Sequence, residues 1–285
     1  MQRILIVLLL VIPFLSSHSQ GYNVEKIWET DKVFLTPESV LYDKERDVLY
    51  VSNFNKFPKA NETGNEFISK LNLNGEVMDL KWIEGLTAPT GMCIFGDKLY
   101  IAERGNLVEI NATTGEIIER YPVPDTKFIN DLAVDENGTV YISESGNSKI
   151  YKFNGTEFEE FLSENDVSKP NGITITGDRL IIGNSGTGCV LSVNLSNKKI
   201  ETLGCFESAR FIDGLRTFSN DEFIISDWNG QTSVLKNSGD IIELLNTTNK
   251  KIYSADLEYI TEKNLLLIPT FYDNRVVAYT INKSD

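Results

Sequence analysis

The chain has 285 residues, 41% hydrophobic and 24% charged, an ordinary globular composition for one large domain or two small ones. Its formal net charge of −14 excludes a nucleic-acid partner, because phosphates demand lysine and arginine, and suits hard cations held by oxygen. The single histidine, His18, falls in an expected leader. The mature chain would then lack histidine, which excludes Ser-His-Asp and Cys-His nucleophilic sites, histidine-ligated zinc and a histidine general base.

The leader comes first. Arg3 precedes an apolar run from Ile4 to Leu15, followed by the small polar stretch Ser16 to Gln20. This order reads as a secretory signal peptide over residues 1–19. The run has 12 residues, fewer than the roughly 20 a membrane-spanning helix needs. No cysteine follows it, so no lipid or other stable membrane anchor is expected. The expected product is exported, periplasmic or secreted, with residues 20–285 forming one domain.

Val24 to Trp28 reads as a lone strand, and six related segments follow it. They begin at Pro37, Pro89, Ile129, Pro170, Ile212 and Ala255. Their second residues, Glu38, Thr90, Asn130, Asn171, Asp213 and Asp256, are spaced by 52, 40, 41, 42 and 43 residues. The first interval is long because it carries a polar insert from Lys56 to Asn65. Each unit adds two further strand-like runs, with Asn-Gly turns such as Asn154-Gly155 marking hairpins. Four strands in about 42 residues is the size of a propeller blade. The expected fold is an all-β, six-bladed β-propeller with four antiparallel strands per blade. A sandwich or solenoid fits less well, since a sandwich does not repeat at a fixed period. The last unit reaches Ile281 with only three strands, so the N-terminal strand is expected to complete that blade and close the ring.

Three cysteines lie in the domain. Cys189 and Cys205 are nearly symmetric about the turn at Asn197-Lys198 and can face each other across a hairpin, with a disulfide left open. Cys93, inside Met92 to Phe95, reads as a buried small hydrophobe. Glycosylation sequons occur at Asn61, Asn111 and Asn154, a pattern that chance mostly explains in a chain rich in Asn, Ser and Thr.

In a blade the first strand lies nearest the central channel. The six second residues are therefore expected to ring one mouth of it. The ends of the second strands, Asn53, Glu103, Glu144, Asn184 and Asp227, form a wider ring on the same face. Three carboxylates and two carboxamides converging at the inner ring repel one another unless neutralised. A divalent cation held by oxygen, most simply calcium, does so; zinc, manganese or magnesium are further options. Strand capping through Asx turns is the other reading of the same residues.

At Pro37-Glu38, Ile129-Asn130-Asp131, Pro170-Asn171-Gly172 and Ile212-Asp213-Gly214 the chain resembles the regucalcin/gluconolactonase family of six-bladed propellers. Squid-type diisopropyl fluorophosphatase and paraoxonase are more distant relatives of that family. The resemblance runs from Pro37 to the C-terminus. It implies a divalent metal on Glu38, Asn130, Asn171 and Asp213, and lactonase or esterase hydrolysis with Asp213 as base or nucleophile. Asp256 and Glu103 are second candidates for that role. The chain departs from the family at Phe128, where sugar lactonases carry an arginine, and it lacks the histidines of paraoxonase-type enzymes. Phe128, Glu103, Glu144, Asp227 and Asp256 are the expected contacts to a small-molecule substrate or ligand. Two other readings stay open. One is a non-catalytic, NHL-like propeller that binds a small molecule, glycan or protein around a structural metal. The other is a lyase or organophosphate-cleaving enzyme using the same metal.

Overall fold

The computed structural model describes residues 16–19, 21–55, 65–207 and 210–283, with side chains from residue 21 onward. The apolar run of the expected leader, most of the polar insert and the Asn61 sequon lie outside the described residues.

Six antiparallel sheets form a six-bladed propeller. Blade 1 runs Pro37–Asp43, Val48–Asn53, Glu66–Leu71 and Val77–Leu86. Blades 2 to 5 repeat this meander, with inner strands Met92–Phe95, Ile129–Val134, Pro170–Thr176 and Ile212–Ser219. Blade 6 is built from Glu258–Ile260, Leu265–Pro269 and Val276–Lys283, and Tyr22–Glu29 supplies its fourth strand. Val24 lies opposite Ile281 in that pairing, so the two ends of the described chain close the ring. Ser16–Ser19 adds a fifth strand outside it. Three 3-10 turns are the only helical elements among the described residues, and no helix there is long and apolar enough to cross a membrane.

Alternation decides what each strand buries. Inner and second strands are covered on both faces and read as apolar runs, as in Val48–Asn53, while outer strands such as Val77–Leu86 expose one face. The core lies between blades. Ile68 joins the blade 1–2 cluster, Leu107 the 2–3 cluster, Ile150 the 3–4 cluster and Val190 the 4–5 cluster. Each fully buried aliphatic contributes about 1.5–3 kcal/mol.

Neighbouring inner strands touch around the channel, and two glycines permit it. A Cβ on Gly172 would meet the Asp213 carbonyl oxygen at 2.1 Å, and one on Gly214 the Leu257 nitrogen at 2.3 Å. The Asn-Gly and Asp-Gly pairs are therefore steric requirements of this close approach. Cys189 lies opposite Cys205 and the two form a disulfide across the outer hairpin of blade 4, while Cys93 is buried and free.

Candidate metal and substrate site at the propeller mouth

Glu38, Asn130, Asn171 and Asp213 line the floor of one pocket of about 150 Å³ at the channel mouth. Each precedes the channel-facing stretch of its inner strand, so four blades deliver one polar side chain apiece. Glu38, Asn130 and Asp213 are at most 6% exposed. Asn171 donates from Nδ2 to Asp213 Oδ1 at 2.8 Å. Glu38 Oε2 and Asn171 Oδ1 are buried with no hydrogen-bond partner. Burial, then the charges of Asp213, Asp256 and Asp131, hold the Glu38 carboxyl well above the usual carboxylate range. Burial, then Asp256, pushes Asp213 up to about 8, against the lowering hydrogen bond from Asn171.

These residues fit a hard cation. Two carboxylates and two carboxamides offer only oxygen, the donor type that calcium takes. A cation would also satisfy the bare oxygens and remove the repulsion that raises both acids. Among the described residues no group of three or more His, Cys, Asp or Glu side chains has metal-holding geometry, and this set contains two such residues.

The pocket walls are aromatic: Phe54, Phe128, Phe211, Trp228 and Phe271. Trp228 and Phe271 have ring centroids 5.8 Å apart, and Tyr253 lies 4.4 Å from Trp228. Phe211 is 64% exposed at the rim. Phe128 therefore stands in the mouth, in the same pocket as Glu38, Asn130, Asn171 and Asp213.

Two of the six expected ring members lie elsewhere. Thr90 turns its hydroxyl to the Asn130 carbonyl at 2.8 Å. Asp256 sits one residue deeper than expected. The apolar residue that begins each inner strand's core-facing run is Val40, Met92, Leu132, Ile173, Leu215 or Leu257. Counting back two residues from it gives Glu38, Thr90, Asn130, Asn171 and Asp213, but Ala255 in blade 6. Asp256 corresponds instead to Ser39, with which it forms an isolated bridge. Ser39 Oγ donates to Asp256 Oδ2 at 2.6 Å. Ala255 is fully buried against the mouth aromatics.

This deeper layer contains a residue that the sequence reading passed over. Arg216 lies in the channel, its side chain 11% exposed, with its guanidinium 3.3 Å from Asp256, 3.6 Å from Asp131 and 3.6 Å from Glu258. Burial alone would lower its pKa, but Asp256, Glu258 and Asp131 together raise it, so it stays charged. The available signal was the period of two: Arg216 follows Gly214, and Glu258 follows Asp256, by two residues, which puts each pair on one face.

The wider ring straps loops. Asn53 accepts from Leu35 N at 2.9 Å, Glu103 from Thr87 N at 2.7 Å, Glu144 from Lys127 N at 2.7 Å and Asn184 from Ser168 N at 2.6 Å. Asp227 accepts from Asn229 N at 2.8 Å, and Arg120 occupies the second oxygen of Glu103 at 3.0 Å. Glu103, Glu144 and Asp227 thus each hold at least one backbone amide, Asp227 Oδ2 alone of their oxygens being buried without a hydrogen-bond partner, and all three are absent from the pocket lining.

Neither a protein-family model nor a curated protein sequence matches the chain. Solved structures do. A streptogramin B lyase superposes with a TM-score of 0.69 at 11% identity, covering 92% of this chain and 98% of that one. Virginiamycin B lyase from Staphylococcus aureus gives 0.67 at 13% identity, covering 91% and 99%. A catalytically inactive histidine-to-alanine variant of that lyase, with quinupristin, gives 0.65 at 12% identity, again covering 91% and 99%. At these identities the likeness is one of fold, and it places this chain among the six-bladed β-propellers.

Proposed function

We propose that the chain is an exported, divalent-cation-dependent hydrolase of the lactonase or esterase type, acting at the propeller mouth. The observation that carries this reading is the convergence of Glu38, Asn130, Asn171 and Asp213 on one buried floor, with Glu38 Oε2 and Asn171 Oδ1 bare. Its kinship with the regucalcin/gluconolactonase family belongs to the same proposal. The Cys189–Cys205 disulfide supports an oxidising compartment.

Those four residues would hold the cation, most simply calcium, which when bound supplies Lewis-acid polarisation of a carbonyl and charge for the developing oxyanion. Asp213 is the proton acceptor for an attacking water, or the nucleophile itself. Asn171 fixes the Asp213 carboxyl through Oδ1. The aromatic walls exclude water and receive an apolar substrate body, so an ester or lactone with an alkyl or aryl group suits the pocket better than an aldonolactone. Phe128 has no hydrogen-bonding group to offer sugar hydroxyls.

The likeness to proteins named as lyases favours a second reading, elimination at the same floor. The histidine whose replacement inactivates that relative has no counterpart among residues 20–285. Any base here is a carboxylate, with Asp213 the best placed.

The test is turnover of aryl esters, alkyl lactones, gluconolactone and cyclic depsipeptides, with calcium and with EDTA. We expect calcium-dependent cleavage of the apolar esters or lactones that Asp213→Asn reduces at least a hundredfold. Elimination products would favour the lyase reading. Absence of turnover across the panel would support a binding propeller instead.

A further inference from the structure

Blade 5 breaks the rule by which the other blades fill their interfaces. The third-strand residue opposite the next-to-last residue of the second strand is Ile68, Leu107, Ile150 and Val190 in blades 1 to 4, each 0% exposed and packed towards the next blade. In blade 5 the same position, opposite Leu245 on the fourth strand, is Thr232. Thr232 is also 0% exposed, and its Oγ1 has no hydrogen-bond partner. A buried hydroxyl left bare is destabilising. No packing gain offsets this, because Thr232 lines a cavity of about 240 Å³ between blades 5 and 6.

The cavity has two ends of different chemistry. Leu245, Ile252, Ile268 and Val277 give it apolar walls. Its rim carries Lys26, Lys250 and Arg275 against Glu29 and Asp273. Both acids are already engaged, Glu29 by Lys26 at 3.1 Å and Arg275 at 2.8 Å, and Asp273 by Arg275 at 2.9 Å. Lys250 is exposed and has no ion pair among the described residues. An excess of positive charge at a cavity is unusual in a chain of net charge −14, and it selects for an anion. The cavity shares no lining residue with the mouth pocket. Alternate residues of two linkers serve the two sites: Ile252 and Ser254 line this cavity while Tyr253 packs on Trp228, and Thr270 and Asp273 line it while Phe271 lines the mouth.

We infer that this cavity is a second ligand site, taking a small amphipathic carboxylate. The apolar body lies between Leu245 and Val277, and the carboxylate meets Lys250 at the rim. Thr232 is the residue that keeps the slot open where the other blades close it.

The test is calorimetric titration of the mature full-length chain with octanoate, and with 1-octanol as the uncharged probe. Wild type is expected to bind octanoate saturably. Thr232→Ile restores the aliphatic side chain of the other blades, so it should keep or raise Tm while weakening octanoate at least tenfold. Lys250→Glu should weaken octanoate several-fold and leave 1-octanol unchanged. Absence of saturable octanoate binding to wild type, or undiminished binding by a folded Thr232→Ile, overturns the site. Equal binding of the two probes, indifferent to Lys250→Glu, overturns the carboxylate assignment. Asp213→Asn should leave octanoate binding intact, so failure of the mouth chemistry and failure of this site are separately visible.

Discussion

Two layers of acidic residues lie along the channel, the mouth acids in blades 1 and 5 and the deeper ones in blades 3 and 6, and they are treated in opposite ways. The deeper layer, Asp131, Asp256 and Glu258, has its cation built in as Arg216. The mouth layer, Glu38 and Asp213 with Asn130 and Asn171, has no cationic side chain in its pocket lining and leaves oxygens bare. Like residues in like burial thus divide into a layer that sets one internal cation against three carboxylates, with Asp256 Oδ1 still bare, and a floor that has no internal cation. Residue type alone does not mark a site; an uncompensated cost does.

The largest effect should come from removing the internal cation. Arg216→Met leaves three buried carboxylates uncompensated, which costs about 3–5 kcal/mol and lowers Tm by about 6–20 °C. A Tm unchanged in a thermal melt would show that the deeper acids need no internal cation and would dissolve the contrast between the layers.

The mouth layer should respond to an added cation instead. Calcium at about a hundred times its dissociation constant contributes roughly 2.7 kcal/mol, a rise in Tm of about 5–10 °C over the EDTA-treated chain. Glu38→Gln should remove this rise, while Asp256→Asn should retain it. Loss of the rise in both variants would mean that the layers act as one.

The comparison also predicts a pH trend. Asp213 is pushed up to about 8 in the folded cation-free chain, against an ordinary carboxylate value near 4 when unfolded. The folded state therefore holds a proton that the unfolded state releases, and the stability it brings is fully present below about pH 4 and lost as pH rises to about 8. Protons compete with the cation for the same oxygens. The calcium-induced rise in Tm should accordingly be larger at pH 8 than at pH 5, and an equal rise would place the cation away from Asp213.

The smallest effect belongs to the wide ring. Asn53→Ala removes one acceptor from Leu35 N and should cost about 1–2 kcal/mol without changing the calcium response. A changed calcium response would tie the strap to the floor.

The fold was legible because blades repeat: the spacing near 42 residues, the Asn-Gly turns and the unpaired Val24–Trp28 strand each specify propeller geometry locally. The mouth residues were legible where Pro or Ile and Gly bracket them, as in Pro170-Asn171-Gly172 and Ile212-Asp213-Gly214. Blade 6 misled because the acid nearest the expected position, Asp256, stands one place late, and aligning on polarity overrode aligning on Leu257, the residue that packing fixes. Arg216 was invisible for a related reason. Its role depends on Asp131 and Glu258, carboxylates from blades 3 and 6 that only ring closure brings to it. The wide ring looked like a binding surface because strand-end carboxylates carry the same letters whether they face a ligand or a backbone amide.

The most direct measurement is calorimetric titration of calcium into the metal-stripped mature chain, its Asp213→Asn variant and its Asp256→Asn variant. The account predicts one saturable site in wild type and in Asp256→Asn, and none in Asp213→Asn. Absence of calcium binding to wild type, or binding that Asp213→Asn leaves intact, would contradict it.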